Sequence, residues 1–268
     1  MLSHTPPKRI VVKVGTSTIT HPSGAPDLRR IDELSRSLCD LCNRGAEVVL
    51  VTSGAIAVGA YKMGLSERPR ELRLKQAAAA VGQCELMHVY DKLFSEYGRT
   101  AGQILLTKGD VSHEERRQNL INTFSSLLEL GIIPVVNEND SVSYDEIESG
   151  GVFGDNDTLS AVVAKFIEAD MLVLLSDSDG FYDADPRANP DAKLIPVVTS
   201  IDDGLLSAAG GAGSSRGTGG GITKLSAAQM ALESGFDMVI ASGADPSLLY
   251  DIYDGKQVGT LFSAKGIK

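Results

Sequence analysis

Two lysines, Lys13 and Lys224, stand where the surrounding residues could put a cation to use. Lys13 lies near the end of RIVVKV (9–14), a β-branched run that stops at Gly15-Thr16-Ser17. Lys224 closes GGAGSSRGTGGGITK (210–224), and seven of the twelve residues from Gly210 to Gly221 are glycine. Glycine loses more backbone freedom on folding than any other residue, so clustering it is costly unless the loop needs positive φ or close backbone approach. A glycine loop feeding a helix offers free N–H groups and the positive end of the helix dipole to an anion. A flexible Gly/Ser linker is the competing reading. What decides between them is whether the rest of the chain builds a site facing this loop.

Other polar and glycine residues gather directly after buried-looking runs, at Ser53-Gly54, at Asn137-Glu138-Asn139-Asp140 and at Ser176-Asp177. Small residues at such places suit a closely approaching ligand, although four polar residues together are also ordinary turn chemistry. Gly154-Asp155-Asn156-Asp157 precedes a helical pattern, so one of these residues serves as its N-cap. A single cap accounts for one polar residue and leaves two to explain.

The elements that would carry these residues are legible as alternating patterns. Short β-branched or apolar runs at 9–14, 47–52, 103–107, 132–136, 171–175 and 238–241 read as strands, most of them buried. Helical spacing covers 28–44, 71–98, 119–130, 158–166 and 222–235, with a short segment at 247–253. Alternation from end to end, with neither linker nor repeat, predicts one α/β domain over 1–268 with a mainly parallel sheet. The C-terminal ends of parallel strands share one edge, so the polar clusters would meet in one crevice there. Lys13 and Lys224 would bring positive charge into it, and two cations facing glycine-rich backbone suggest a phosphate between them. The run Ala77–Ala80 in the longest helix lets another helix come close, from this chain or from a second subunit. The polar segment 142–153 reads as a hairpin or a lid.

Composition narrows the function. At 268 residues, 43% hydrophobic and 22% charged, the chain is an ordinary globular protein without a run long enough to span a bilayer. The start, MLSHTPPKR, has no apolar core of a secretory signal, so cytoplasmic residence is the expectation. A net charge of −10 argues against nucleic acid and anionic membranes as partners, but not against a small anion with local cations. Cys39 and Cys42 form a CxxC on one helix face that no further pair completes as a zinc site; packing explains them better than redox chemistry. The Walker-type phosphate loop, the dinucleotide fingerprint after the first strand, the protein-kinase set, the EF-hand and the serine-nucleophile elbow are all absent. The four histidines are scattered, which disfavours histidine-based catalysis, and no metal-ligand set is expected from the protein.

Six motifs, in order, then carry a resemblance: KVGTST (13–18), TSGAIAVG (52–59), NENDSV (137–142), FGDND (153–157), SDSDGFYDADPR (176–187) and GTGGGITK (217–224). Together they resemble the amino-acid-kinase family over nearly the whole chain, and within it the members whose acceptor is glutamate. The resemblance implies a three-layer sandwich, an open, mainly parallel central sheet flanked by helices. It implies phosphoryl transfer from MgATP to the side-chain carboxylate of L-glutamate, the first step toward proline, in the cytoplasm. Lys13, Lys224 and Asp157 match the family's catalytic positions, with Asp157 holding the two lysines in place. Ser53, Asp140 and Asn156 match the substrate-binding positions. Lys13, Gly15, Gly54, Ser176, Asp177, Thr218, Gly219, Gly220, Gly221, Ile222, Thr223 and Lys224 match the ATP-binding ones. The resemblance also implies Mg²⁺ bound mainly through the nucleotide phosphates, feedback by proline near 137–156, and a homo-oligomer, dimer or tetramer. Many members carry an extra C-terminal RNA-binding-like domain, which this sequence is not expected to have, and 205–216 is expected to be a mobile flap. Kinases of N-acetylglutamate or aspartate, and a non-catalytic amino-acid sensor, are the alternatives.

Overall fold

The computed structural model describes residues 5–142, 155–184, 189–209 and 220–265. The chain opens with β1 (Arg9–Val14), α1 (Thr16–Ile19), α2 (Leu28–Asn43) and β2 (Glu47–Val51). Next come α3 (Ala55–Lys62), α4 (Leu72–Glu96), β3 (Ala101–Leu106), α5 (Lys108–Ser112), α6 (Glu114–Glu129) and β4 (Ile133–Glu138). The second half holds α7 (Asn156–Phe166), β5 (Met171–Ser176), β6 (Val197–Val198) and α8 (Asp203–Ala208). It ends with α9 (Gly220–Ser234), β7 (Asp237–Ser242), α10 (Leu248–Tyr253) and β8 (Thr260–Phe262). Eight strands form one sheet in the order β3-β4-β2-β1-β5-β7-β8-β6, and every pairing but β7 with β8 is parallel.

β1 is the switch point. The strands that follow it are laid down on its β2 side as far as β3, and β5 then returns to its other flank. Open α/β sheets bind ligands at such a place, beyond the carboxyl ends of the strands. The register aligns those ends, since Lys13 pairs with both Val51 and Leu174 while Ser176 pairs with Ser242.

Two apolar clusters flank the sheet, as a three-layer sandwich requires. Ile10, Val12 and Val14 of β1 join a core containing Ile31, Leu34 and Leu38 of α2 and Leu86 and Tyr90 of α4. Val11 joins the opposite core, with Leu159 and Val163 of α7 and Leu225 and Ala228 of α9. Side chains alternate along a strand, so Lys13 shares the face of Val11 and rises toward α7 and α9.

The helix that uses the small residues of α4 is α3 of the same chain. A Cβ placed on Gly59 would lie 1.8 Å from the Ala78 carbonyl oxygen, and one on Gly82 would lie 1.8 Å from that of Ala55. The two backbones therefore touch, and α3 is held by its first residue, directly after Ser53-Gly54.

Cys39 is buried and Cys42 half-buried. Burial pushes their thiols up to about 12 and about 11, which keeps them protonated and fits packing. Beyond β5, Tyr182 bridges to Leu194 and β6 pairs with β8. The Thr260 hydroxyl locks this excursion: it accepts from the Phe181 N–H at 2.8 Å and lies 2.6 Å from the Ile195 carbonyl oxygen. α6 begins at Glu114, ahead of its apolar pattern, because Glu114 and Glu115 suit the positive end of the helix dipole. The first part of the expected flap is helical, since α8 is capped by Asp202, which accepts from Leu205 N–H. Residues 210–219, and the expected hairpin or lid at 143–153, lie outside the described residues.

Candidate active site

The centre of the site is an ion triad that its elements impose. Asp155 caps α7 by accepting from the Asp157 and Thr158 N–H groups, so Asn156 and Asp157 open the first turn. Asp157 is 2% exposed and receives Lys13 Nζ at 2.6 Å on one oxygen and Lys224 Nζ at 3.5 Å on the other. Lys13 rises from β1, and Lys224 sits in the second turn of α9, its ammonium also 3.2 Å from the Gly220 carbonyl. The Thr223 hydroxyl adds a contact to the second carboxylate oxygen at 3.3 Å. Burial alone would raise the Asp157 carboxyl, but the two ammonium groups outweigh it and hold it below the ordinary carboxylate value. Two lysines against one carboxylate leave a surplus positive charge at the sheet edge, ready for a polyanion.

Gly15 and Gly54 stand where chain leaves strand for helix. Gly15 ends β1, and a Cβ there would lie 3.8 Å from Lys13 Nζ, so the backbone is open toward the ammonium. Gly54 has φ of 91°, a left-handed conformation that favours glycine, and it caps α3. Ser176 ends β5, and its hydroxyl donates to Asp177 at 3.1 Å. Gly220 and Gly221 form the first turn of α9, followed by Ile222 and Thr223. The backbone at Gly221 packs against the end of the 203–209 segment, a Cβ there falling 2.7 Å from the Ala209 carbonyl oxygen. Thr218 and Gly219 lie outside the described residues.

A second group of side chains is built on the β2–β4 side. Asn156 Nδ2 lies 2.7 Å from the Thr52 carbonyl oxygen, 2.8 Å from Ser53 Oγ and 2.9 Å from Asn137 Oδ1. Asn137 Nδ2 in turn donates to Gln83 Oε1 at 3.0 Å. Thr52 is held from its other side by a 2.9 Å hydroxyl contact with buried Tyr90. The motif reading singled out Ser53 and Asn156 but missed Gln83 and Tyr90, which lie mid-helix without any local signature. The asparagine start of NEND was the available signal for Asn137.

Asp140 follows β4, beside the strand that leads to Ser53. Burial raises its carboxyl, and the Arg68 guanidinium offsets part of that rise. At neighbouring Glu138, burial and then repulsion from Asp140 push the carboxyl up to about 7. From the ordinary 4.5 to about 7 the folded chain keeps a proton that the unfolded chain releases, so stability falls as pH rises through that window. Glu138→Gln should therefore raise the melting temperature relative to the parent at pH 8 and leave it nearly unchanged at pH 5. Thermal melts at both values check this, and an equal shift at both would refute it.

The described residues hold no group of three His, Cys, Asp or Glu side chains able to bind a metal ion, and no helix long and apolar enough to cross a membrane. The arrangement offers cations, backbone donors and helix N-termini. That inventory suits the transfer of a charged group between two anions.

The sequence profile of the Amino acid kinase family matches residues 8–242. The chain is 55% identical to "Glutamate 5-kinase" of Clostridium perfringens over 258 residues, 96% of each chain. It is 49% identical to the protein of that name from Listeria innocua, over 96% of this chain and 94% of the other. Among solved structures it resembles isopentenyl phosphate kinase, with a TM-score of 0.66 at 19% identity, covering 94% of this chain and 99% of that one. UMP kinase from Bacillus anthracis aligns with a TM-score of 0.63 at 14% identity, over 97% and 98% of the two chains. At such identities the structural likenesses speak for the fold alone.

Proposed function

The chain belongs to the amino acid kinase family, and within it we propose that it transfers the γ-phosphoryl group of ATP to the side-chain carboxylate of L-glutamate. The product is L-glutamyl 5-phosphate, at the first step of proline biosynthesis. The observation that carries this reading is the near full-length likeness to glutamate 5-kinases at 49–55% identity. The site supplies the chemistry.

A glutamate side chain with a pKa of about 4.3 is already ionised at neutral pH, so no general base has to remove a proton. What remains is in-line positioning and neutralisation of charge on the transferring group and the leaving diphosphate. Lys13 and Lys224 fit the second task, and Asp157 fixes their ammonium groups against mutual repulsion. Gly15, Gly54 and the Gly219–Gly221 run let backbone N–H groups reach phosphate oxygens, while Ser176-Asp177 and Thr218–Lys224 border the nucleotide. Mg²⁺ enters with ATP, held chiefly by its phosphates, and lowers the charge on them. Asp157 is committed to two lysines, so the protein side of the site suits phosphates better than a bare ion.

Ser53, Asn156 and Asp140 form the acceptor pocket. Asp140 is half-buried within the field of the Arg68 guanidinium, and an α-ammonium would complete its charge balance. An N-acetylated acceptor has no such cation. We place the reaction in the cytoplasm, in a homo-oligomer, with proline as a feedback ligand near 137–156. The test is ADP formation with ATP and Mg²⁺, comparing glutamate, N-acetylglutamate and aspartate. Glutamate should be turned over fastest, and equal or faster turnover of either rival overturns the assignment.

A further inference from the structure

We propose that Gln83, on α4, is the positioning residue that fixes which atom Asn156 turns toward the acceptor substrate. The proposal rests on the glutamate reading given above and names the device behind its specificity.

The direction of the amide chain follows from one carbonyl. Thr52 O is an acceptor only, so the Asn156 atom 2.7 Å away must be its NH₂ group. That same nitrogen lies 2.9 Å from the Asn137 side chain, which must present its oxygen there. Asn137 therefore turns its own NH₂ inward, and Gln83 meets it with Oε1 at 3.0 Å. Asn137 is 2% exposed and Gln83 7%, so no solvent is at hand to replace either contact. One cost is visible: among the described residues Gln83 Nε2 is buried without a hydrogen-bond partner. A glutamine held with one end unsatisfied serves for what its other end does.

The consequence appears at the pocket. Asn156 Nδ2 has two protons, and the Thr52 carbonyl and Asn137 Oδ1 take both. The Ser53 hydroxyl, 2.8 Å from that nitrogen, keeps its own proton for another acceptor. Among the described residues no hydrogen bond reaches Asn156 Oδ1. Among the described residues the pocket is left with one free acceptor and one free donor side by side. An α-amino acid presents the complementary pair, an ammonium for Asn156 Oδ1 and a carboxylate for Ser53 O–H. Without Gln83, the buried NH₂ of Asn137 must seek a partner elsewhere and draws its oxygen away from Asn156. The Asn156 amide then loses one of the two acceptors that orient it.

Two variants separate positioning from bulk stability. Gln83→Met keeps volume but removes the acceptor, whereas Gln83→Glu keeps an acceptor for Asn137. Gln83→Met should raise the KM for glutamate about tenfold, what one charge-assisted hydrogen bond is worth. Its kcat and KM for ATP should stay within about twofold, and Gln83→Glu should hold the KM for glutamate within about threefold. The Asn156 side-chain ¹H–¹⁵N resonances of the ligand-free protein, assigned through Asn156→Ala, should shift in Gln83→Met and much less in Gln83→Glu. A parental KM for glutamate in Gln83→Met, an equal rise in both variants, or unmoved Asn156 resonances each overturn the proposal. If the parent protein fails to turn over glutamate while the resonances respond as expected, the amide device stands and the substrate assignment falls.

Discussion

Replacing Lys224 by alanine should lower kcat by about a hundred- to a thousandfold, the range seen when one preorganised donor to a developing charge is lost, while the KM for glutamate changes by less than about threefold. Lys224 faces Asp157 and the glycine turn that opens α9, whereas Ser53 and Asn137 contact Asn156. Its ammonium has little to offer the ground-state acceptor. Charge moves onto the leaving diphosphate as the transition state forms, and only interactions that strengthen there raise kcat. Lys13→Ala should be at least as damaging, because Lys13 makes the shorter contact to Asp157 and is only 12% exposed. Steady-state kinetics with both substrates varied decide the matter. A Lys224→Ala enzyme with near-parental kcat would reduce that lysine to packing or binding.

The second large effect is on stability. Gly82→Ala should destabilise the fold by about 3 kcal/mol or more, an overpacking penalty at the upper end of its usual range, and lower the melting temperature by about 10 °C. The added methyl would sit 1.8 Å from the Ala55 carbonyl oxygen and 2.6 Å from the Gly59 nitrogen. Both obstacles are backbone and cannot swing aside, so α3 and α4 must separate. Ala55 is the second residue after Ser53, hence the displacement should carry the Ser53-Gly54 turn with it and raise the KM for glutamate in whatever protein remains folded. Thermal denaturation of the purified variant is the measurement. A melting temperature within about 2 °C of the parent would show that the helices yield more cheaply than the contact implies.

Much of this molecule can be read from its residues, for reasons that are local. Lys13 shares strand parity with Val11, so its side of the sheet follows from alternation alone. The polar clusters at Ser53, Asn137–Asp140 and Ser176 sit directly after apolar runs, and parallel pairing brings them to one edge. Asp155 caps α7, which frees Asn156 and Asp157 for the site, as one cap among three polar residues had suggested. What escaped reading depends on contacts distant in sequence. Gln83 and Asn137 stand 54 positions apart and meet only when α4 lies on the sheet. α3 was legible as a motif but not as a helix, since AIAVGAYK is apolar on most sides and has no polar stripe to set its period. β6 and β8, at two and three residues, are too short for alternation to register, and pairing alone makes them strands.

The place of β8 has a consequence for biosynthesis. β6 is complete once Val198 has been made, yet its partner in the sheet, among the described residues, is β8. The Thr260 hydroxyl that clamps the segment following Ser176-Asp177 arrives with the same late strand. At a translation rate of about 5–20 residues per second, β6 waits roughly 3 to 12 s for Thr260 to be added. During that interval β1 to β4 can already pair and bring together the strand ends that carry Thr52 and Asn137, while the segment after Ser176-Asp177 lacks its clamp. The strands that carry Ser53 and Asn137 are thus made well before the hydroxyl that clamps the segment after Ser176-Asp177, which comes only with β8.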